Sequence, residues 1–155
     1  MSASIAGGSG ANRDLRTTYR QLYAIEAFAL GDVGALNLGT QSGSDGIGFE
    51  VKEALQSEAE GRVPVCVAAE AVAADARGKF IIGGYAGTII CASSVVAGDT
   101  LICGTTAGIA IEASTVDTTS GSNQMSYVAF GQALTDYVAA STSCTGFVFD
   151  RGIWG

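Results

Sequence analysis

The chain has 155 residues, enough for one domain with a real core and too few for two comfortable ones. Apolar residues make up 48 % and charged residues only 15 %, which excludes a wholly disordered chain and describes a surface of Ser, Thr and Gly, or one covered by something else. A net charge of −7 speaks against phosphate-led nucleic-acid binding and against an anionic membrane, and the complete lack of histidine removes Ser-His and Cys-His nucleophiles.

In chain order, residues 1–13 are small and Gly/Ser-rich and read as a flexible arm. They lack the basic-then-apolar order of a secretory signal, and no apolar run is long enough to span a bilayer as a helix. The stretch "DLRTTYRQLYAIEAFALGD" carries two periods at once. Leu15, Tyr19, Leu22 and Glu26 fit a helix, whereas Tyr23, Ile25 and Ala27 alternate with their neighbours as in an extended segment. The arm is therefore open between partly helical and extended. It concentrates Arg13, Arg16, Tyr19, Arg20, Tyr23 and Phe28, the side-chain types that anchor protein interfaces. "GDVGALNLGTQSGSDG" reads as a turn-rich connector. These observations divide the chain into an N-terminal arm and connector, 1–47, and a β-domain, 48–155.

From Gly48 the pattern is β. "GFEVKEA" alternates, "VPVCVAAEAV" puts Val63, Val65 and Val67 on one face, and Pro64 fits an edge or a strand start. Ala-rich "VAAEAVAADA" leaves room for a helical turn. "FIIGG" and "TIICA" read as two short strands, and "VVAGDTLICG" and "TTAGIAIEAS" as turn-strand pairs. "STVDTTSGSNQ" is a polar loop. "MSYVAFGQAL" places Val128, Phe130 and Leu134 together, and "STSCTGFVFDRG" puts Phe147 and Phe149 opposite Val148. The expected fold is all-β: a compact sandwich or barrel of about eight short antiparallel strands. Ile153 and Trp154 form an apolar tip, the second candidate interface element.

Nothing in the sequence assembles a catalytic, metal or cofactor site. Cys66, Cys91, Cys103 and Cys144 lie in or beside apolar runs without CxxC spacing and read as reduced, buried small hydrophobes. The glycine-rich pieces lack a phosphate-binding signature, and the acids of "SGSDGIGFE" miss the alternate positions of a calcium loop. A small trimeric dUTPase-like enzyme fits by size but needs a Gly/Arg-rich C-terminal arm, and this chain ends "FDRGIWG". The expectation is a protein that binds other protein, is not an enzyme and takes no cofactor.

At "ASSVVAGDTLICGTTAGIAIEAS", then "YVAFGQALTD" and "TGFVFDRG", the chain resembles the capsid decoration (cement) proteins of tailed bacteriophages. The likeness runs from about Val63 to Asp150 and is a pattern of turns and alternation. It implies a compact β-fold, frequently trimeric, made in the host cytoplasm and bound to the outer surface of the virion capsid. Its partners would be the major capsid protein and itself, as a homotrimer, with no nucleic acid and no membrane. Another virion part (tail, spike or shell) and a ligand- or carbohydrate-binding β-module are the alternatives.

Overall fold

The computed structural model describes residues 16–37, 50–57, 64–113 and 129–150. Among these residues the chain is all-β, with nine strands: β1 (Thr18–Ala24), β2 (Val33–Leu36), β3 (Glu50–Glu53), β4 (Pro64–Ala68), β5 (Ala76–Ile90), β6 (Thr100–Cys103), β7 (Ala110–Glu112), β8 (Gly131–Ala133) and β9 (Ser143–Val148). The barrel expectation holds. The segment left open between helix and strand is extended: Leu22 and Ala24 point into the core, and Tyr19 and Gln21 face out. Residues 18–36, assigned from sequence to the arm and connector, supply β1 and β2 to the sheet.

The strand order is β1-β3-β2-β4-β5-β9-β8-β6-β7, with β1 also paired to β5. That extra pairing closes β1, β3, β2, β4 and the first half of β5 into a five-stranded N-terminal barrel. The pair β1–β3 is parallel, a departure from the all-antiparallel expectation. The reason is topological: an odd ring of strands cannot alternate direction all the way round.

The second half of β5 continues through β9, β8, β6 and β7. This sheet also closes. Cys91, directly after β5, bridges Ala110 of β7 in parallel, and the Ala92 N–H donates to the Ala110 carbonyl at 2.9 Å. The result is a C-terminal barrel that shares β5 with the first. The two short strands read from "FIIGG" and "TIICA" are thus one strand of 15 residues. Its crossover lies at Gly83–Gly84. Gly84 has φ +86°, and any side chain there would collide with the Arg16 carbonyl.

The barrels are two copies of one topology. Each N-terminal pairing has a C-terminal counterpart of the same sense: β1–β5 matches β5–β9, β1–β3 matches β5–β7, β2–β3 matches β6–β7, β2–β4 matches β6–β8, and β4–β5 matches β8–β9. The details repeat too. Ala29-Leu30-Gly31-Asp32 and Val96-Ala97-Gly98-Asp99 form the same turn, with Gly31 at φ +88° and Gly98 at +95°. The Ala29 N–H donates to Asp32 Oδ2 at 2.6 Å, and the Val96 N–H to Asp99 Oδ2 at 2.9 Å. Gly31 N–H bonds the Ala68 carbonyl at 2.9 Å and Gly98 N–H the Ala133 carbonyl at 2.8 Å. Asp75 and Thr142, each just before the last strand of its barrel, have φ of +58° and +51°.

Leu22, Phe28, Val51, Cys66, Phe80 and Ile82 fill the N-terminal barrel. Phe28 meets Phe80 edge-on, ring centroids 5.0 Å apart. The Ala-rich run is a turn, not helix: Val72 and Phe28 exchange backbone hydrogen bonds across it. A second cluster fills the C-terminal barrel with Ile89, Val95, Leu101, Phe130 and Val148, and extends onto the outer face of the first through Val33, Val67 and Ile81. The barrels are therefore packed as one body.

Candidate functional site

Two outer faces carry the groups suited to binding. The first is the β1–β5 face of the N-terminal barrel. Strand alternation sends Tyr19, Gln21 and Tyr23 outward beside Ile81, Lys79 and Arg77. Tyr19 is 52 % exposed, and Lys79 Nζ sits 4.9 Å above its ring. Tyr23 is half-buried and hydrogen-bonds Asp75; desolvation, with the Asp75 and Glu50 carboxylates nearby, raises its phenol above the ordinary value. Arg16 is exposed and Arg20 half-buried. Thr17 Oγ1 donates to the Tyr85 carbonyl at 2.6 Å, which ties the entry to β1 to the second barrel.

Phe28 is a correction. Proposed from sequence as an interface anchor, it is 3 % exposed and packed on Phe80, so its ring serves the chain's own core. Arg13, Ile153 and Trp154 lie outside the described residues.

The second face belongs to the C-terminal barrel and was not singled out in the sequence. Tyr85, Phe147 and Gln132 are cross-strand neighbours, and the Phe149 ring lies 6.5 Å from that of Phe147. Tyr85, Phe149 and Leu134 are exposed. The alternation of Phe147 and Phe149 was legible, but their exposure was not, since it depends on what the other barrel covers.

A carboxyl pair lies at the joint between the barrels. Asp32 and Glu53 hydrogen-bond each other, with Gly108 of the β6–β7 hairpin closely packed on both. Burial and the Asp32 charge push the Glu53 carboxyl up to about 7. Burial also raises Asp32, partly offset by the Ala29 N–H. The two thus hold a shared proton. Gly108 exchanges further bonds there: its N–H donates to the Ala54 carbonyl at 3.0 Å, and its carbonyl accepts from Val33 N–H at 2.8 Å. This pair joins the barrels.

A cleft of about 530 Å³ lies between Ile90, Ser93, Thr105, Ile109 and Tyr137, with no carboxylate or cation on its wall. The cysteines are free and buried, as expected. Burial raises the Cys66 thiol, and a hydrogen bond to Cys144 together with burial holds Cys91 protonated. Among the described residues no three His, Cys, Asp or Glu side chains group to hold a metal ion, and no helix is long and apolar enough to cross a membrane.

No family model matches the chain, and neither does any curated protein. Matches are found among solved structures. The chain is similar to the head fiber gp8.5 N base of bacteriophage phi29. The match has a TM-score of 0.50 at 17 % identity, over 86 % of this chain and 94 % of that one. At that identity the likeness is one of fold, and it spans both barrels.

Proposed function

We propose that this chain is a structural protein of a bacteriophage virion, and within that class a decoration protein on the outer surface of the capsid. The observation that carries the reading is the fold shared with a phage head fiber base over nearly the whole of both chains. The decoration-protein pattern at "VVAGDTLICG" and "FGQAL" points the same way from sequence. The physics fits such a role. A cement protein stabilises a shell by binding the assembled lattice better than free subunits. A stiff double barrel loses little conformational entropy on docking. In this reading the partners are the major capsid protein and further copies of the chain as a trimer. The chain performs no catalysis, takes no cofactor, and contacts neither nucleic acid nor membrane.

The test is co-sedimentation of the purified chain with expanded capsids lacking it, followed by imaging of the particles. Saturable binding at the capsid's outer contact points, with raised thermal tolerance of the shell, is expected. Particles that never retain the chain would overturn the reading. A second reading has its own support, because a similar solved structure is a fiber base. As the base of a projecting fiber the chain would carry further density outward from the shell, which the same imaging would show.

A further inference from the structure

The joint between the barrels is heterologous: the two barrels use different surfaces to make it. The N-terminal barrel contributes its Gly31 turn and the outer row Val33–Val67–Ile81, whose members pair in register across β2, β4 and β5. All three are buried. The C-terminal barrel contributes the outward residues of β5 and its hairpin. Thr88 and Ile90 pack on Gly31, and Ile90 N–H donates to the Gly31 carbonyl at 2.9 Å.

Each of these surfaces has a counterpart on the other barrel, and both counterparts are open. The row matching Val33–Val67–Ile81 is Thr100–Gln132–Phe147, equally in register. Thr100 and Gln132 are exposed and Phe147 is half-buried. Gly98, the counterpart of Gly31, would have nothing within 4 Å of an added side chain. Leu134 stands 43 % exposed where its counterpart Ala69 packs against the shared core. At the other end of the molecule, the counterparts of Thr88 and Ile90 are Gln21 and Tyr23 on the outer face of β1, beside exposed Tyr19.

We infer that a second copy of this chain docks head-to-tail, its β1 face (Tyr19, Gln21, Tyr23) covering the Thr100–Gln132–Phe147 face as the C-terminal barrel covers the N-terminal one. Charge supports the pairing. None of the eight Lys and Arg residues lies between 84 and 148, whereas Arg77 and Lys79 flank the β1 face as its cross-strand neighbours. A face with cations thus meets a barrel that has only acids, Asp99 and Asp136 among them. Heterologous contacts of this kind close into rings or run on as filaments. The inference rests on the self-association in the proposed function and names its contact, but it does not depend on capsid binding and would hold for a fiber base as well.

The test uses the full chain in analytical ultracentrifugation over a wide concentration range. Two exposed positions are substituted separately, Gln132→Arg on one face, which sets a cation against Arg77 and Lys79, and Gln21→Glu on the other, which sets an acid against the acidic barrel, with far-UV circular dichroism confirming the fold of each. The wild type is expected to form a discrete or growing assembly, and each variant to be monomeric. A mixture of the two variants should give at least a two-copy species, because one joint keeps both of its faces unaltered. A wild type that stays monomeric, an assembly that survives either substitution, or variants that fail to pair on mixing would each overturn the proposal.

Discussion

The two barrels have the same five-strand pairing scheme and different fillings. In the N-terminal barrel the bulk comes from Phe28 and Phe80. Their counterparts in the C-terminal barrel are Val95 and Gly146. There the volume is restored from other strands: Phe130 stands where the first barrel has Val65, and a side chain added at Gly146 would come within 2.5 Å of Ile89 Cδ1. The comparison teaches that the backbone pairing scheme is the stable quantity. A small barrel accepts one or two aromatic rings from whichever strand supplies them, provided the total volume is met.

The sharpest way to break that comparison is to empty each filling in turn. Phe80→Ala and Phe130→Ala should each lower unfolding free energy by about 3–5 kcal/mol in chemical denaturation, since both are fully buried. Because one core cluster runs across the joint, each should give a single transition. Two transitions would show barrels that unfold separately.

The paired glycine turns separate the joint from the turn itself. Gly98→Ala should cost about 1 kcal/mol, the price of a left-handed alanine in open space. Gly31→Ala carries the same backbone cost, and its new methyl also comes within 2.8 Å of Thr88 Cγ2 and 3.1 Å of the Thr88 carbonyl. The excess measured for Gly31 over Gly98 reports the tightness of the barrel contact. Equal costs would mean a looser joint.

A pH series distinguishes the matched acids. Asp32 and Glu53 share a proton at the joint, whereas Glu112, the counterpart of Glu53, accepts a hydrogen bond from Ser94 Oγ at 2.6 Å. Folded Glu53 keeps its proton to about pH 7, and its ordinary value is 4.5. Its contribution is therefore complete below pH 4.5 and is lost as pH rises through 7. Melting temperature should fall across that window, and Glu53→Gln should flatten the fall. The smallest effect belongs to Tyr19→Ala, which removes an exposed ring and its contact with Lys79. It should change monomer stability by less than about 1 kcal/mol in the same denaturation assay.

Much of this architecture could be read from sequence where a single turn and strand decide the matter. "AGDTLIC" was legible as a turn entering a strand, and Phe147 and Phe149 as residues of one face. "LGDVGAL" contains the same turn yet reads as a connector, because half of its four-residue strand is Gly and Ala, whereas the equally short "TLIC" has neither. The likeness of 29–32 to 96–99 is the signal that would have found the duplication. Phe28 looked like an anchor because aromatic residues beside arginines resemble an interface; only the distant Phe80 assigns it to the core. The single strand β5 looked like two, since glycines at its centre mimic a turn. Barrel closure and the burial of one face by the other barrel are long-range facts that no local period records.

The crossover at Gly83–Gly84 divides the strand inventory evenly. Residues 16–83 hold every strand segment of one ring and residues 84–150 every segment of the other, and what the peptide bond there adds is proximity. A break at that bond would leave two complementary pieces, each with its own hydrogen-bonded circuit and with matching greasy surfaces that seek one another. Such a pair is a ready-made split system, able to report the meeting of whatever two cargoes are attached to it.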